Sequence, residues 1–287
     1  MVMSRVTIPD LRRMKEQGEK ITMLTAYDYL FATLIDEAGI DVVLVGDSLG
    51  MVVMGYQSTL PVTVEQIIHH SQAVATAVKR AMVVADMPFM SYEVSDEQAI
   101  SNAGRLIKEG GAQAVKVEGG NELVRQRIGA IVGAGIPVMG HLGLTPQTAS
   151  LVEGYKVQGK DAKTAQEILE QARLLEQGGV FSLLLECIPM ELAKLITDEL
   201  SVPVIGIGAG VHCDGQVLVT YDLLGLYTAF VPKHVKQYCN LKRVVSDTLR
   251  QYASEVKGGQ FPGEEHSFHM RREEFEKLVQ EGQHVVR

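Results

Sequence analysis

Eight short apolar runs, rich in Val, Ile and Leu, alternate with longer segments of helical pattern, and this alternation restricts the fold more than any other feature. The runs are ITMLTA (21–26), DVVLVGD (41–47), MVVADMP (82–88), QAVKVEG (113–119), PVMGHLG (137–143), SLLLECIP (182–189), PVIGIGAG (203–210) and, more weakly, TAFVPK (228–233). Each is almost continuously apolar, as expected for strands that are covered on both faces and are therefore parallel.

The segments between the runs carry helix signals. Ser95 with Gln98 predicts a capping box, and residues 161–179 place apolar side chains at helical spacing before a glycine stop. Residues 189–200 begin with proline in the first turn, where it is tolerated. A further helix is predicted at about residues 9–17, ahead of the first strand.

Eight parallel strands with intervening helices predict an α/β fold, a (β/α)8 TIM barrel with an N-terminal helix. A doubly wound sheet is the second interpretation, because alternation does not distinguish a closed sheet from an open one. No change in composition marks a linker, so residues 1–287 are interpreted as a single catalytic domain. From about residue 263 the chain is rich in charge and is predicted to form a terminal helix or a partly ordered tail.

The composition argues against several classes of protein. The 287 residues carry a formal net charge of -8 at pH 7, which argues against a nucleic-acid partner. The three cysteines are far apart and form no CxxC pair, so they suit a reducing compartment. No apolar run approaches the ~20 residues that span a bilayer, and the N-terminus lacks the apolar segment of a signal peptide. We therefore expect a soluble cytoplasmic protein without a membrane partner.

Charged side chains lie where five consecutive predicted strands end. They are Asp47, Asp86, Lys116 with Glu118, His141 and Glu186. Because the strands of a barrel end on one rim, where active sites of this fold are assembled, we expect these side chains to share a cavity. Each residue alone has a simpler explanation: a strand-end acid more often caps the next helix, and a lone histidine is more often structural.

The excess of acids predicts a divalent-metal site. Four carboxylates in one cavity repel one another unless a cation is present. Oxygen ligands without a Cys or His pair favour magnesium or a similar ion over zinc. We expect His141 to hydrogen-bond a ligand from behind rather than to bind the metal. Lys116 and Glu118 are two apart on one strand, so their side chains point to the same face.

Three further features have ordinary interpretations. GIGAG (206–210) resembles a phosphate-binding loop but lacks the GxGxxG spacing and a Walker lysine, so a tight turn is preferred. His266 and His269 in HSFH suggest a metal site, but the surrounding charge favours a solvated or oligomer-contact role. Cys187 is interpreted as a small core hydrophobe.

Several long blocks between about residues 4 and 269 resemble the ketopantoate hydroxymethyltransferase family. The blocks are VGDSLGMVVMGYQSTLPVTVEQ (45–66), VVADMPFMSY (83–92), AVKVEGG (114–120), GHLGLTPQ (140–147), GYKVQGK (154–160), LLLECIP (183–189), VIGIGAG (204–210) and PGEEHSFH (262–269). The resemblance implies a barrel that uses one Mg2+ per subunit and assembles as a homo-oligomer, typically a decamer of two pentameric rings. It also implies hydroxymethyl transfer from the co-substrate 5,10-methylenetetrahydrofolate to 3-methyl-2-oxobutanoate, giving 2-dehydropantoate for pantothenate biosynthesis through a metal-stabilised enolate.

Matching motif positions implies roles for residues of this chain. The implied metal ligands are Asp47, Asp86 and Glu118, and the implied keto-acid contacts are Asp47, Ser48, Asp86 and Lys116. Glu186 would be the catalytic proton acceptor. We expect it to stand in a partly apolar wall made by Leu185 and Ile188, where desolvation would raise its pKa and make it a stronger base.

Three alternatives stay open at the level of the sequence. Lys116 could form a Schiff base, as in class I aldolase-type barrels. A related metal-dependent barrel could cleave or rearrange phosphonopyruvate- or isocitrate-like acids by the same enolate chemistry. A non-enzyme binding or scaffold barrel would require the convergence of charges to be incidental.

Overall fold

The structure is a computed structural model that describes residues 5–148, 156–227 and 231–282. The chain divides into two compact units, Met1–Tyr238 and Cys239–Arg287. Compact units need not be independently folding domains, so the interpretation of 1–287 as one domain stays a prediction. Within the described ranges, no helix is both long and apolar enough to cross a membrane.

The first unit contains a closed barrel of eight parallel strands. They are β1 (Ile21–Thr25), β2 (Val42–Val45), β3 (Met82–Asp86), β4 (Ala114–Glu118), β5 (Val138–Gly143), β6 (Ser182–Glu186), β7 (Val204–Ile207) and β8 (Gly215–Leu218). Each strand pairs with the next along the chain, and β8 pairs with β1 to close the barrel. The predicted (β/α)8 fold is therefore confirmed.

Helices follow most of the strands and cover the barrel. In the first unit they are α1 (Ile8–Gln17), α2 (Tyr29–Glu37), α3 (Leu49–Val52), α4 (Val64–Ala77), α5 (Asp96–Lys108), α6 (Glu122–Gly133), α7 (Ala162–Gln177), α8 (Met190–Glu199) and α9 (Thr220–Leu223). The second unit contains α10 (Leu241–Lys257), a 3-10 helix (Glu264–His266) and α11 (Arg272–Gly282). The charged C-terminal segment thus contains a helix.

The helices begin at the caps that the sequence provides. Thr63 and Gln66 form a complete capping box at the start of α4. At α5, Ser95 Oγ accepts the Gln98 N–H at 3.1 Å, but the Gln98 side chain accepts from the Val94 N–H instead. The capping box predicted at Ser95 is therefore only half formed.

Two layers of apolar side chains hold the barrel together. The larger layer lies between strands and helices, and the smaller one fills the barrel interior with residues such as Met23, Met82 and Met139. Leu11 of α1 belongs to the interior layer, so this helix packs against the N-terminal end of the barrel. Burying each such side chain contributes about 1.5–3 kcal/mol. Apolar side chains therefore fill the N-terminal part of the barrel interior, and polar residues lie at its C-terminal end.

The prediction of the eighth strand was wrong. Residues 231–233 of TAFVPK form no strand, and its residues 228–230 lie outside the described part of the chain. The eighth strand is GQVL, which follows β7 after residues 208–214 with no helix in that described connection. It is short and alternates buried with less buried residues, so it produces no continuous apolar run. Gly215 is required there because a Cβ would lie 2.4 Å from the Ile21 carbonyl oxygen.

Candidate active site

The C-terminal rim of the barrel brings the strand-end charges together. Asp86 pairs in register with Lys116, Glu118 with His141, and Gly143 with Glu186. Asp47 follows β2, and its backbone N–H donates to Asp86 Oδ2 at 2.9 Å. The six residues singled out from the sequence therefore surround one site, and five of them are buried.

Lys116 occupies the centre of this cluster. Its Nζ lies 3.0 Å from Asp86 Oδ1, 3.4 Å from Glu118 Oε1 and 3.2 Å from His141 Nδ1. Burial opposes the charged ammonium, but the surrounding carboxylates outweigh it and raise the pKa of Lys116. The lysine is therefore a fixed cation at neutral pH.

Each of three buried carboxylates has one oxygen held by a protein N–H group. Asp86 Oδ2 accepts from the Asp47 backbone, Asp47 Oδ2 accepts from Gln147 Nε2 at 2.8 Å, and Glu118 Oε2 accepts from the Gln147 backbone at 3.1 Å. Gln147 was not predicted from the sequence, because a neutral polar residue in a short turn carries no signal of its own. Its position inside the GHLGLTPQ block was the only indication available.

Burial and mutual repulsion disturb the ionisation of these acids. Burial, reinforced by Asp86 and Glu118, raises the pKa of Asp47 well above its usual range, and burial likewise raises that of Asp86. Burial also acts on Glu118, but Lys116 and His141 outweigh it and lower the pKa of Glu118 to about 2. Three buried acids thus lie side by side around Lys116, and uptake of a proton or a cation by Asp47 and Asp86 would relieve their repulsion.

The residues fit a hard divalent cation by their chemistry. Asp86 Oδ1 is buried and is paired with Lys116 Nζ at 3.0 Å. A buried carboxylate oxygen beside two other acids is a suitable oxygen ligand for magnesium. No three His, Cys, Asp or Glu side chains among the described residues are already arranged to hold a metal ion. The metal therefore stays a prediction.

His141 bridges the acid cluster and Glu186. Its Nδ1 lies 3.3 Å from Glu118 Oε1, and its Nε2 lies 3.2 Å from Glu186 Oε2. Burial and Lys116 favour the neutral imidazole, but the two glutamates outweigh them and raise the pKa of His141 to about 9. A charged imidazole could therefore hold the carboxylate of Glu186 in place.

Glu186 lies at the open edge of the site. Its side chain is 18% exposed, whereas the side chain of Glu118 is 2% exposed. The expectation of a wall made by Leu185 was wrong: Leu185 belongs to the layer between strands and helices, because alternate residues of a strand point to opposite faces. Ile188 is buried too, but it belongs to the same layer as Leu185, so the expected wall beside Glu186 is not supported at either residue.

The backbone around Glu186 is tightly constrained. Gly143 has φ 96°, and a Cβ there would lie 2.2 Å from the Glu186 carbonyl oxygen. Cys187 is only half-buried and has φ 49°, a left-handed conformation that is unusual for a residue other than glycine. Burial and the charge of Glu186 raise the pKa of Cys187 to about 12, so its sulfur is a thiol and not a nucleophile.

Ser48 lies beside the acids at the start of α3. Its Oγ is 2.9 Å from the hydroxyl of Tyr27, which is almost fully buried. Tyr27 was not identified from the sequence, since a single tyrosine between a strand and a helix resembles any core aromatic residue. The pair fixes where the Ser48 hydroxyl lies.

The less specific motifs have ordinary local explanations. Gly208 and Gly210 have positive φ, and a Cβ at Gly210 would lie 2.3 Å from Met190 Cβ, which explains the GIGAG glycines as a tight turn. In the second unit, His266 and His269 are exposed and each lies near a glutamate.

Comparisons with known proteins identify what the chain resembles. A family model described as ketopantoate hydroxymethyltransferase matches residues 5–264. A 3-methyl-2-oxobutanoate hydroxymethyltransferase of Carboxydothermus hydrogenoformans is 56% identical over 276 residues, 96% of this chain and 100% of the relative. One of Moorella thermoacetica is 58% identical over 265 residues, 92% of this chain and 98% of the relative.

Solved structures with low sequence identity share the fold. A phosphoenolpyruvate phosphomutase from Streptomyces platensis subsp. rosaceus has a TM-score of 0.61 at 14% identity, covering 98% of this chain and 99% of its own. A 2,3-dimethylmalate lyase of the PEP mutase/isocitrate lyase superfamily has a TM-score of 0.57 at 16% identity, covering 97% and 96%. At such identities the likeness concerns the barrel and not the reaction.

Proposed function

The chain belongs to the ketopantoate hydroxymethyltransferase family, and from that premise we propose that it transfers a hydroxymethyl group to 3-methyl-2-oxobutanoate. It is a hydroxymethyltransferase by its relatives. The proposed donor is 5,10-methylenetetrahydrofolate. With one water molecule consumed, the products are 2-dehydropantoate and tetrahydrofolate. The predicted decamer and cytoplasmic location belong to the same proposal.

Asp47, Asp86 and Glu118 would hold one Mg2+ per subunit. The burial of three carboxylates side by side, which raises the pKa of Asp47 and Asp86, supports this assignment, because a bound cation would favour their ionised forms. When bound, the ion would supply positive charge to the keto oxygen and carboxylate of the substrate and stabilise the enolate. Every other contribution comes from side chains of the chain.

Lys116 and Ser48 would bind and orient the keto acid. The raised pKa of Lys116 keeps its ammonium charged, so it can pair with the substrate carboxylate. Ser48 Oγ, held by Tyr27, can contribute a directed hydrogen bond. The same raised pKa argues against a Schiff base at Lys116, because that chemistry needs the neutral amine.

Glu186 would remove the proton from C3 of the keto acid. This carbon is tertiary and adjacent to a ketone, so a positioned base must act as the negative charge develops. Asp47, Asp86 and Glu118 are each held by an N–H group of Gln147 or Asp47, whereas Glu186 contacts His141 and is partly exposed, so it can reach a substrate in the barrel mouth. The electron pair left on C3 would then attack the methylene carbon of the folate.

One observation carries this proposal. Glu186 is partly exposed at the edge of the site, whereas Asp47, Asp86 and Glu118 are buried and each accepts a hydrogen bond from an N–H group. The test is Glu186→Gln, assayed by hydrogen–deuterium exchange at C3 of 3-methyl-2-oxobutanoate without folate. We expect exchange to be lost while binding of the keto acid and metal is retained. The exposed Glu191→Gln on α8 is the matched control and should exchange as wild type does.

Persistent exchange in Glu186→Gln would show that another group is the base. Turnover that requires no folate would favour a metal-dependent lyase or mutase barrel instead. Trapping of a keto acid on Lys116 by borohydride would establish the aldolase alternative. Calorimetry that finds no keto-acid binding with or without metal would favour a scaffold protein.

A further inference from the structure

Gln147 is a buried residue in a 3-10 turn, and it holds two of the three buried acids. It lies beyond β5, is 3% exposed, and contacts groups from three other strand ends. Burying an amide is unfavourable unless its polar atoms are paired, so each partner matters.

All polar groups of the Gln147 side chain have partners. The two N–H bonds of Nε2 point to Asp47 Oδ2 at 2.8 Å and to the Met87 carbonyl oxygen at 3.0 Å. Oε1 accepts from the Tyr92 hydroxyl at 2.9 Å. Because Met87 offers only an acceptor and Tyr92 acts here as a donor, the network determines which amide atom is nitrogen. The carboxamide cannot be flipped without losing these bonds.

Gln147 supplies two of the three N–H groups that hold the carboxylates. Its side chain holds Asp47 after β2, and its backbone N–H holds Glu118 on β4. These two acids lie on either side of Asp86 on β3. One residue therefore controls the separation of the two outer acids.

We infer that Gln147 is a positioning residue that sets the spacing and orientation of Asp47 and Glu118 for the cation and the keto acid. The inference rests on the proposed function, because it takes these acids to be ligands. A neutral amide suits this role, because it orients a carboxylate without neutralising it, as a lysine would, and without adding the repulsion of a glutamate.

Outer hydrogen-bond partners of metal ligands strongly affect metal affinity. Their loss typically weakens binding roughly 10–100-fold. In Gln147→Met, the side chain keeps its length and the backbone bond to Glu118, but its bonds to Asp47, to the Met87 carbonyl oxygen and from the Tyr92 hydroxyl are lost. We expect weaker metal binding and a raised KM for the keto acid, with a smaller effect on kcat at saturating metal.

The experiment measures Mn2+ binding to the full-length chain by electron paramagnetic resonance, together with KM, kcat and the thermal midpoint. Gln147→Met should bind Mn2+ roughly 10–100-fold more weakly. Gln147→Asn is the second variant: it keeps the amide but is one methylene too short, and should change in the same direction. Thr145→Ala is the matched control, because it removes the contact with Thr148 in the same loop without touching a carboxylate.

The outcomes are distinguishable. Unchanged Mn2+ affinity and KM in folded Gln147→Met or Gln147→Asn would overturn the inference, whatever happens to the thermal midpoint. An equal loss of affinity in Thr145→Ala would also overturn it, since the effect would then belong to the loop. Absence of Mn2+ binding by the wild-type chain would overturn the proposed metal site and this inference with it.

Discussion

Replacing Lys116 by Met should reveal how strongly the acid cluster depends on its central cation. At an effective dielectric constant of about 20, two unit charges 3.0 Å apart, the distance between Lys116 and Asp86, attract by about 5.5 kcal/mol. Desolvation of the pair offsets much of this attraction. Removing one partner nevertheless leaves a buried charge uncompensated, which typically costs about 3–5 kcal/mol. We expect the free energy of unfolding of Lys116→Met to fall by that amount at pH 8.

The loss should depend on pH in a defined direction. In the wild type, burial raises the pKa of Glu118, but Lys116 outweighs burial and lowers it. The ionised Glu118 therefore stabilises the folded protein above the pKa that this side chain has in the unfolded chain, and this stabilisation is lost as the pH falls. Without Lys116, the folded-state pKa of Glu118 and Asp86 rises, and the variant gains stability by binding protons at low pH. The difference between the two proteins should therefore grow from pH 5 to pH 8.

Urea unfolding followed by circular dichroism, with a chelator present, measures this difference. The chelator matters because a bound divalent cation would replace part of the missing positive charge. Lys194→Met is the control: its partner Asp198 and the lysine itself are both exposed, so the free energy of unfolding should change little. Wild-type stability of Lys116→Met at pH 8, or a larger loss at pH 5 than at pH 8, would refute the reasoning.

Two further predictions concern backbone contacts. Asp36 accepts N–H groups from residues 79–81, which lower its pKa despite partial burial, so Asp36→Ala should lose about 1–3 kcal/mol in urea unfolding at pH 7. That deficit should narrow as the pH falls below about 4; a deficit independent of pH would contradict the assignment. Gly143→Ala should displace Glu186 and lower kcat by roughly 100-fold. Gly135→Ala, with φ 86° but no atom within 4 Å of the added Cβ, shares the strain without the clash, and an equal loss of kcat there would contradict the explanation.

Most of the barrel could be predicted because β2 to β7 are buried on both faces and β1, although Thr22 is exposed, keeps an apolar sequence. Seven strands are continuous apolar runs, and the chemistry lies where these runs end, as at Asp86 and Glu186. The eighth strand could not be found in this way, because Gly215–Leu218 is short and its Gln216 is exposed. Its glycine is required by the close approach of β1, which is a tertiary contact that no local pattern contains.

The charged residues of the site could be predicted from the sequence, but its neutral residues could not. Acids and a lysine at strand ends are conspicuous in a sequence, whereas Gln147 and Tyr27 act through neutral hydrogen bonds between segments far apart in the chain. The supposed wall at Leu185 failed for a different reason. It took neighbours in sequence to be neighbours in space, although adjacent residues of a strand face opposite sides.

Closure of the barrel by β1 and β8 has a consequence for how the protein folds. Thr220 donates two hydrogen bonds to Thr25 across 195 positions, and Gln147 reaches Asp47 across 100. Pairings between such distant segments slow folding, because a long loop must be ordered before any contact compensates for the lost entropy. During synthesis, the first strands are made long before β8 can join them. Partly made chains therefore expose unpaired apolar strands, and Asp47 lacks its hydrogen bond from Gln147 until that residue has been made. Such chains are prone to aggregation.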